Sequence, residues 1–193
     1  MADNTRDKLI EISVQLISVK GFNNTGLAEI LGQAGVPKGS FYHYFKSKDD
    51  LGLAVIEYYG LSLREGLNTT LNSLSGSPLT RLRAYFDQVL AYVAPDYSRC
   101  NCLLGNLGQE LALQSDVMRL AIHKHYEAVE KRLAECLADA KVQGELSASA
   151  DEIILARMLF ASWEGCLVRA KLEQSVQPLR DLLDLYFDKL LQA

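Results

Sequence analysis

Apolar residues recur every three to four positions through most of this 193-residue chain and do not alternate with polar ones as strands require. Only four prolines interrupt that period. An all-α protein is expected. The stripe Leu9, Ile12, Leu16, Val19 predicts a helix over about 5–20, with Gly21 as its stop. A second helix is expected over about 27–34, with Thr25 as its cap. Gly35-Val36-Pro37 breaks the chain, and a very short helix follows from Lys38 to about Tyr44. Ser47-Lys48-Asp49-Asp50 reads as the capped, acidic start of a long helix to about Leu74.

Beyond that helix, Ser75-Gly76-Ser77-Pro78 is the clearest break, and Pro78 suits the first position of a helix to about Val93. A loop over 94–99 leads to a short helix from about Cys102 to Leu113. Ser115 is expected to cap a long helix ending near Gly144. Ser149-Ala150-Asp151-Glu152 reads as a capping box for a helix to about Leu172, and Ser175 as the cap of the last, to Leu191.

Composition narrows the class. With 49% hydrophobic and 23% charged residues the chain is ordinary for a globular protein, and no apolar run approaches the roughly 20 residues that cross a bilayer. The first residues lack a basic segment followed by an apolar one, so no leader is expected. Cys100, Cys102, Cys136 and Cys166 are too scattered for a disulfide framework, and the cytoplasm is the expected compartment. The net charge of −4 is uneven: residues 1–48 carry six basic and four acidic side chains, the rest 14 and 20. A mildly basic head on an acidic body hints at a polyanionic partner.

That head has the dimensions of a helix-turn-helix. At about 100° per residue, Phe41, Tyr44 and Phe45 share one face of the short helix and can pack on Leu27, Ile30 and Leu31. Gly39, Tyr42 and His43 share the opposite face, flanked by Lys38 and Ser40. Such a face holds a protein together poorly but suits a major groove. Gly39 permits close backbone approach, Tyr42 can meet a thymine methyl or a phosphate, and His43, Lys46 and Lys48 can reach phosphates.

The run Ala34-Gly35-Val36-Pro37-Lys38-Gly39-Ser40-Phe41-Tyr42-His43-Tyr44-Phe45-Lys46-Ser47-Lys48, with Gly21-Phe22 and Thr25 before it, closely resembles the signature of the TetR family of transcriptional regulators. The resemblance covers about residues 5–55. It implies that Thr25 touches phosphate at the start of the second helix and that Lys38, Gly39, Ser40, Tyr42 and His43 form the recognition surface. It further implies that Lys48 clamps the DNA backbone, that the last two helices pair across a dimer, and that the middle helices enclose an effector pocket.

The body is consistent with this. Ile154, Met158, Gly165, Leu182, Tyr186 and Leu190 are the expected dimer-interface residues, since the last two helices carry more apolar surface than one core face needs; a purely intramolecular core is the other reading. For an effector pocket or sensor the aromatic residues Tyr58, Phe86, Tyr92, Tyr126 and Trp163, together with Cys102, are the candidates. Arg99-Cys100-Asn101-Cys102 places two thiols at a helix start beside an arginine, both of which favour thiolate. The segment is similar to that of the NemR-type subgroup, whose members sense electrophiles through a cysteine there, although Asn101 replaces the usual glycine. The other reading makes Cys102 a small buried hydrophobe.

No metal or cofactor is expected: Cys-x-Cys lacks a second ligand pair, and His123 and His125 face apart on a helix. A thiol enzyme using Cys102 with His123 or His125 is the rival class, and no spacing favours it. The sequence therefore predicts a helix-turn-helix DNA-binding domain over 1–48 and an effector-binding and dimerisation domain over 49–193. Together they would form a ligand-responsive homodimeric repressor on a palindromic operator, not an enzyme and without a membrane partner.

Overall fold

The computed structural model describes residues 2–72 and 75–191, with side chains from residue 5 onward. Among these the regular structure is helical: α1 (Ala2–Lys20), α2 (Leu27–Ala34), α3 (Lys38–Phe41), α4 (Lys48–Leu71), α5 (Pro78–Val93), α6 (Leu103–Leu111), α7 (Asp116–Val142), α8 (Glu152–Glu173) and α9 (Gln177–Leu185). A 3₁₀ turn (Tyr97–Arg99) precedes α6, and one π turn (Tyr186–Leu190) ends the last helix. Leu74, the expected end of α4, lies outside the described residues.

Two compact units result, Met1–Leu63 with Cys102–His125 and Arg64–Asn101 with Tyr126–Ala193. By compactness the chain thus divides within α4, just ahead of α6 and within α7, whereas the sequence sets a functional division at residue 48. The first unit buries Leu9, Ile10, Leu16, Ile17, Phe22, Ile30, Leu31, Phe41, Phe45, Leu51, Val55 and Ile56, together with Leu103, Leu104, Leu107 and Leu111 along one side of α6. α1 packs against both α2 and α6. Gly52 lets α4 approach closely, since a Cβ there would stand 2.6 Å from the Phe22 ring.

In the second unit α9 packs against α8 and α5. Its interior includes Phe86 edge-on to Trp163, with ring centres 4.8 Å apart, and Tyr126 against Phe160 at 5.0 Å. Such aromatic pairs add about 0.5–1.5 kcal/mol beyond the area they bury. Arg83 forks between Asp184 (2.7 Å) and Asp188 (2.8 Å), tying α5 to the last turns of the chain.

Several helix starts differ from expectation by a residue or two, and each has a local cause. Thr25 is not a cap: its Oγ1 donates backward to the Gly21 carbonyl at 2.7 Å, and Gly26 occupies the N-cap of α2 without a side-chain cap. Asp151, not Ser149, caps α8, because its carboxylate accepts from the Ile153 and Ile154 amides (both 3.0 Å). Ser175 accepts from the Gln177 amide at 3.1 Å, but the N-cap of α9 is Val176. Ser77 and Ser115 accept from the Thr80 and Met118 amides, as their positions require.

Candidate nucleic-acid interface

Gly35 makes the turn. Its φ of 62° is left-handed, a conformation that costs a side-chain-bearing residue about 1–2 kcal/mol, and the amides of Gly35 and Val36 close α2 on the carbonyls of Gly32 and Leu31. Pro37, extended at ψ 144°, then launches α3. The α-helix proper is only Lys38–Phe41; it continues to Phe45 as successive turns, with the Tyr44 and Phe45 amides both bonded to the Phe41 carbonyl.

The two faces separate as the sequence predicts. Phe41 is completely buried and Phe45 nearly so, their ring centres 5.6 Å apart. Tyr44 is half-buried. On the other side Lys38, Gly39 and His43 are exposed, Ser40 is half-exposed, and Tyr42 is 53% exposed with its ring edge-on to Phe41. No atom outside the local chain lies within 4 Å of where a Gly39 Cβ would be, so this backbone is open to a large partner.

Two residues sit differently from expectation. Thr25 is wholly buried, and its hydroxyl donates to Gly21, so it does not face a phosphate. The Lys48 ammonium is not free in solvent: it donates to the Phe22 carbonyl at 2.6 Å and lies 4.4 Å from the centre of the Phe22 ring. Lys46 is exposed, and its amide donates to Asp50, while the Asp50 amide donates to Ser47 Oγ. This is a capping box reaching back one residue further than usual, and it fixes the entry to α4.

A third residue reaches the head from far along the chain. Glu110, near the end of α6, accepts the Phe22 amide on Oε2 (2.8 Å) and the Asn23 amide on Oε1 (2.7 Å), gripping the turn between α1 and α2 with both oxygens.

In the body, Ile154, Met158, Ala161, Gly165, Val168 and Leu172 fall within about 80° of arc on α8 at helical spacing. All are exposed in the single chain, Ile154 and Met158 by 57% and 56%. Exposed apolar stripes are a common feature of surfaces that meet other proteins. Leu190 is likewise exposed, and Leu182 half-buried. Tyr186 is a correction: it is buried, and its hydroxyl donates to the Leu155 carbonyl at 3.0 Å, so it belongs to the chain's own core. Burial also pushes its phenol far above the usual range.

The expected sensor residues scatter. Phe86 and Trp163 are buried together, and Tyr126 is half-buried, donating to Glu164 at 3.2 Å. Tyr58 and Tyr92 are instead 42% and 61% exposed. Cys102 is buried at the N-cap of α6. The neighbouring Arg99 pairs with Asp96 at 3.6 Å and covers the Tyr92 ring at 4.9 Å. Burial raises the Cys100 thiol pKa above its ordinary value.

A short exposed helix after a left-handed glycine, on a three-helix head joined to a larger helical body, defines a helix-turn-helix transcriptional regulator. Residues 9–55 match the family model for bacterial regulatory proteins of the tetR family, and residues 78–185 match that of the tetracyclin repressor-like C-terminal domain. The chain is 39% identical to the transcriptional regulator AcuR of Cereibacter sphaeroides over 92% of its own length and 81% of the relative's. It is 33% identical to the HTH-type transcriptional repressor NemR of Escherichia coli, over 93% and 90%. The structure of reduced E. coli NemR superposes with a TM-score of 0.90, covering 96% of each chain, and a TetR regulatory protein from Rhodobacter sphaeroides with 0.87, at 38% identity over 94% and 96%. The chain belongs to the TetR family of DNA-binding transcriptional regulators, whose members bind operators as dimers and answer to small molecules.

Proposed function

We propose that this protein is a homodimeric repressor in which Lys38, Gly39, Ser40, Tyr42 and His43 enter the major groove of each half of a palindromic operator, and Lys46 and Lys48 hold the flanking phosphates. The observation that carries this reading is the division of the α3 segment, with Phe41 and Phe45 buried while Lys38, Gly39, Tyr42 and His43 face outward. At the position where Thr25 turns inward, the uncapped first amides of α2 beside exposed Gly26 take over the phosphate contact. The functional head is residues 1–48, and residues 49–193 dimerise through the α8 stripe and Leu190.

The effector sits in the body among α5, α7 and α8, where Phe86, Trp163 and Tyr126 offer ring edges and a hydroxyl. A role for Cys102 as an electrophile sensor rests on the likeness to NemR; its burial, and the engagement of Arg99 elsewhere, favour packing. The protein acts by binding and not by catalysis, as its relatives are regulators, and it works in the cytoplasm, where the operator is. Selection from random duplex DNA followed by titration in rising salt tests the reading. A palindrome should emerge whose affinity falls steeply with salt; no enrichment, or a salt-insensitive affinity, would sink it.

A further inference from the structure

The head carries a cavity of its own. Between α2 and the turn that follows it lies a groove of about 500 Å³, walled by Leu27, Ala28, Leu31, Val36 and Pro37. Gly32 and Gly35 complete it, and nothing stands within 4 Å of where a Cβ on either would be. Its walls are held in place. Leu31 is buried, the Gly35 and Val36 amides are bonded to the Gly32 and Leu31 carbonyls, and the ring of Pro37 locks its own φ.

Lys38, at the start of α3, is the charged residue of the lining, and it is exposed. No acidic side chain joins it there, and Glu29, the acid of α2, is engaged by Lys20. Apolar walls with one placed charge, in a volume within the roughly 300–1,000 Å³ of small-molecule sites, describe a seat for an organic anion. DNA fills such a groove poorly. The apolar group that a major groove offers is the thymine methyl, far smaller than this space.

We propose that the groove between α2 and α3 is a ligand site separate from the body, taking a carboxylate with an apolar aryl or alkyl part: the apolar part lies on Leu27, Leu31 and Val36, and the carboxylate pairs with the Lys38 ammonium. Ligand and operator exclude one another, because Lys38 serves both. That exclusion, though not the binding itself, rests on the operator-binding reading above. It requires no movement of the head. An effector in the body changes operator affinity by a fixed coupling factor and then saturates. A competitor in the groove raises the apparent operator Kd in proportion to its concentration, without a plateau.

The test uses the full-length protein labelled at its alanine, leucine and valine methyls, with phenylbutyrate as the probe and phenylbutanol as its uncharged counterpart. Phenylbutyrate should give saturable NMR shifts at Leu27, Ala28, Leu31 and Val36, and the alcohol should bind several-fold more weakly. Lys38→Gln should bring the acid down to the level of the alcohol and leave the alcohol unchanged. Gly32→Leu, which adds a side chain to the groove wall, should abolish the shifts at Leu27, Leu31 and Val36; Ala28→Leu serves if that variant does not fold. In anisotropy titrations of the wild type the operator Kd should climb linearly with phenylbutyrate. No saturable shifts at these methyls, shifts that persist in the folded Gly32→Leu variant, or an operator Kd that levels off or does not move would overturn the proposal. If wild type bound no duplex at all, the operator reading would fall alone, and the methyl titration would still decide the groove.

Discussion

The imidazole of His125 occupies the space that a side chain at Gly60 would need. A Cβ on Gly60 would overlap the ring, whose Nε2 lies 3.0 Å from the Glu57 carboxylate, so α4 and α7 are locked where a missing side chain admits a whole ring. Gly60→Ala should lower stability by about 1–3 kcal/mol through overpacking. Gly66, six residues along the same helix, has nothing within 4 Å of its Cβ position. Gly66→Ala should raise stability by up to about 1 kcal/mol through helix propensity. Denaturant unfolding of the pair would expose an error if the two shifts had the same sign.

The head should separate folding from binding at adjacent residues. Phe41→Ala removes a completely buried ring and should cost about 3–5 kcal/mol of stability. Tyr42→Ala should leave the unfolding midpoint nearly unchanged yet weaken operator binding by about 1–3 kcal/mol. Dimerisation should persist in Tyr42→Ala and in Lys48→Ala. Fluorescence-anisotropy titrations beside sedimentation decide this, and a dimer lost with Tyr42 would mean that the groove-facing surface is misassigned.

The α8 stripe predicts the assembly. Met158→Glu places a charge in the middle of an apolar face and should yield a folded monomer in sedimentation, with circular dichroism unchanged.

Alkali should act on the body through Cys136. Burial pushes this thiol from its ordinary 9.0 to about 11, and the thiol donates to the Pro78 carbonyl at 3.3 Å. An acid whose folded pKa is raised stabilises the fold fully below the unfolded value, and that contribution is lost as pH rises from about 9 through about 11. Cys136→Ala should flatten the decline of stability across that window. An equally steep decline in the variant would assign the alkaline sensitivity elsewhere, with Tyr186 the next group to examine.

The helices and the two faces of the α3 segment were legible because they follow from periodicity and from the backbone preferences of Gly35 and Pro37, which are local properties. Thr25 misled because a hydroxyl before a helix can donate backward as readily as it can cap, and the choice depends on burial. Tyr186 misled because an apolar surface exceeding one face does not say which residues of it turn inward. Arg99 adjoins Cys100 in sequence, yet its guanidinium finds a carboxylate and a ring instead. Glu110 could not be read at all: its partners lie 88 and 87 residues away and are main-chain amides, which every residue but proline carries.

The seat of Lys48 on Phe22 bears on how the protein meets its operator. A lysine tail moving freely in solvent gives up on the order of 2 kcal/mol of rotamer entropy when a phosphate pins it. Here much of that ordering accompanies folding, so in the proposed operator complex Lys48 would exchange a carbonyl and an aromatic face for a phosphate oxygen instead of freezing a mobile chain. Its ammonium would still displace counterions at the duplex and register in the salt dependence, at a smaller entropic cost.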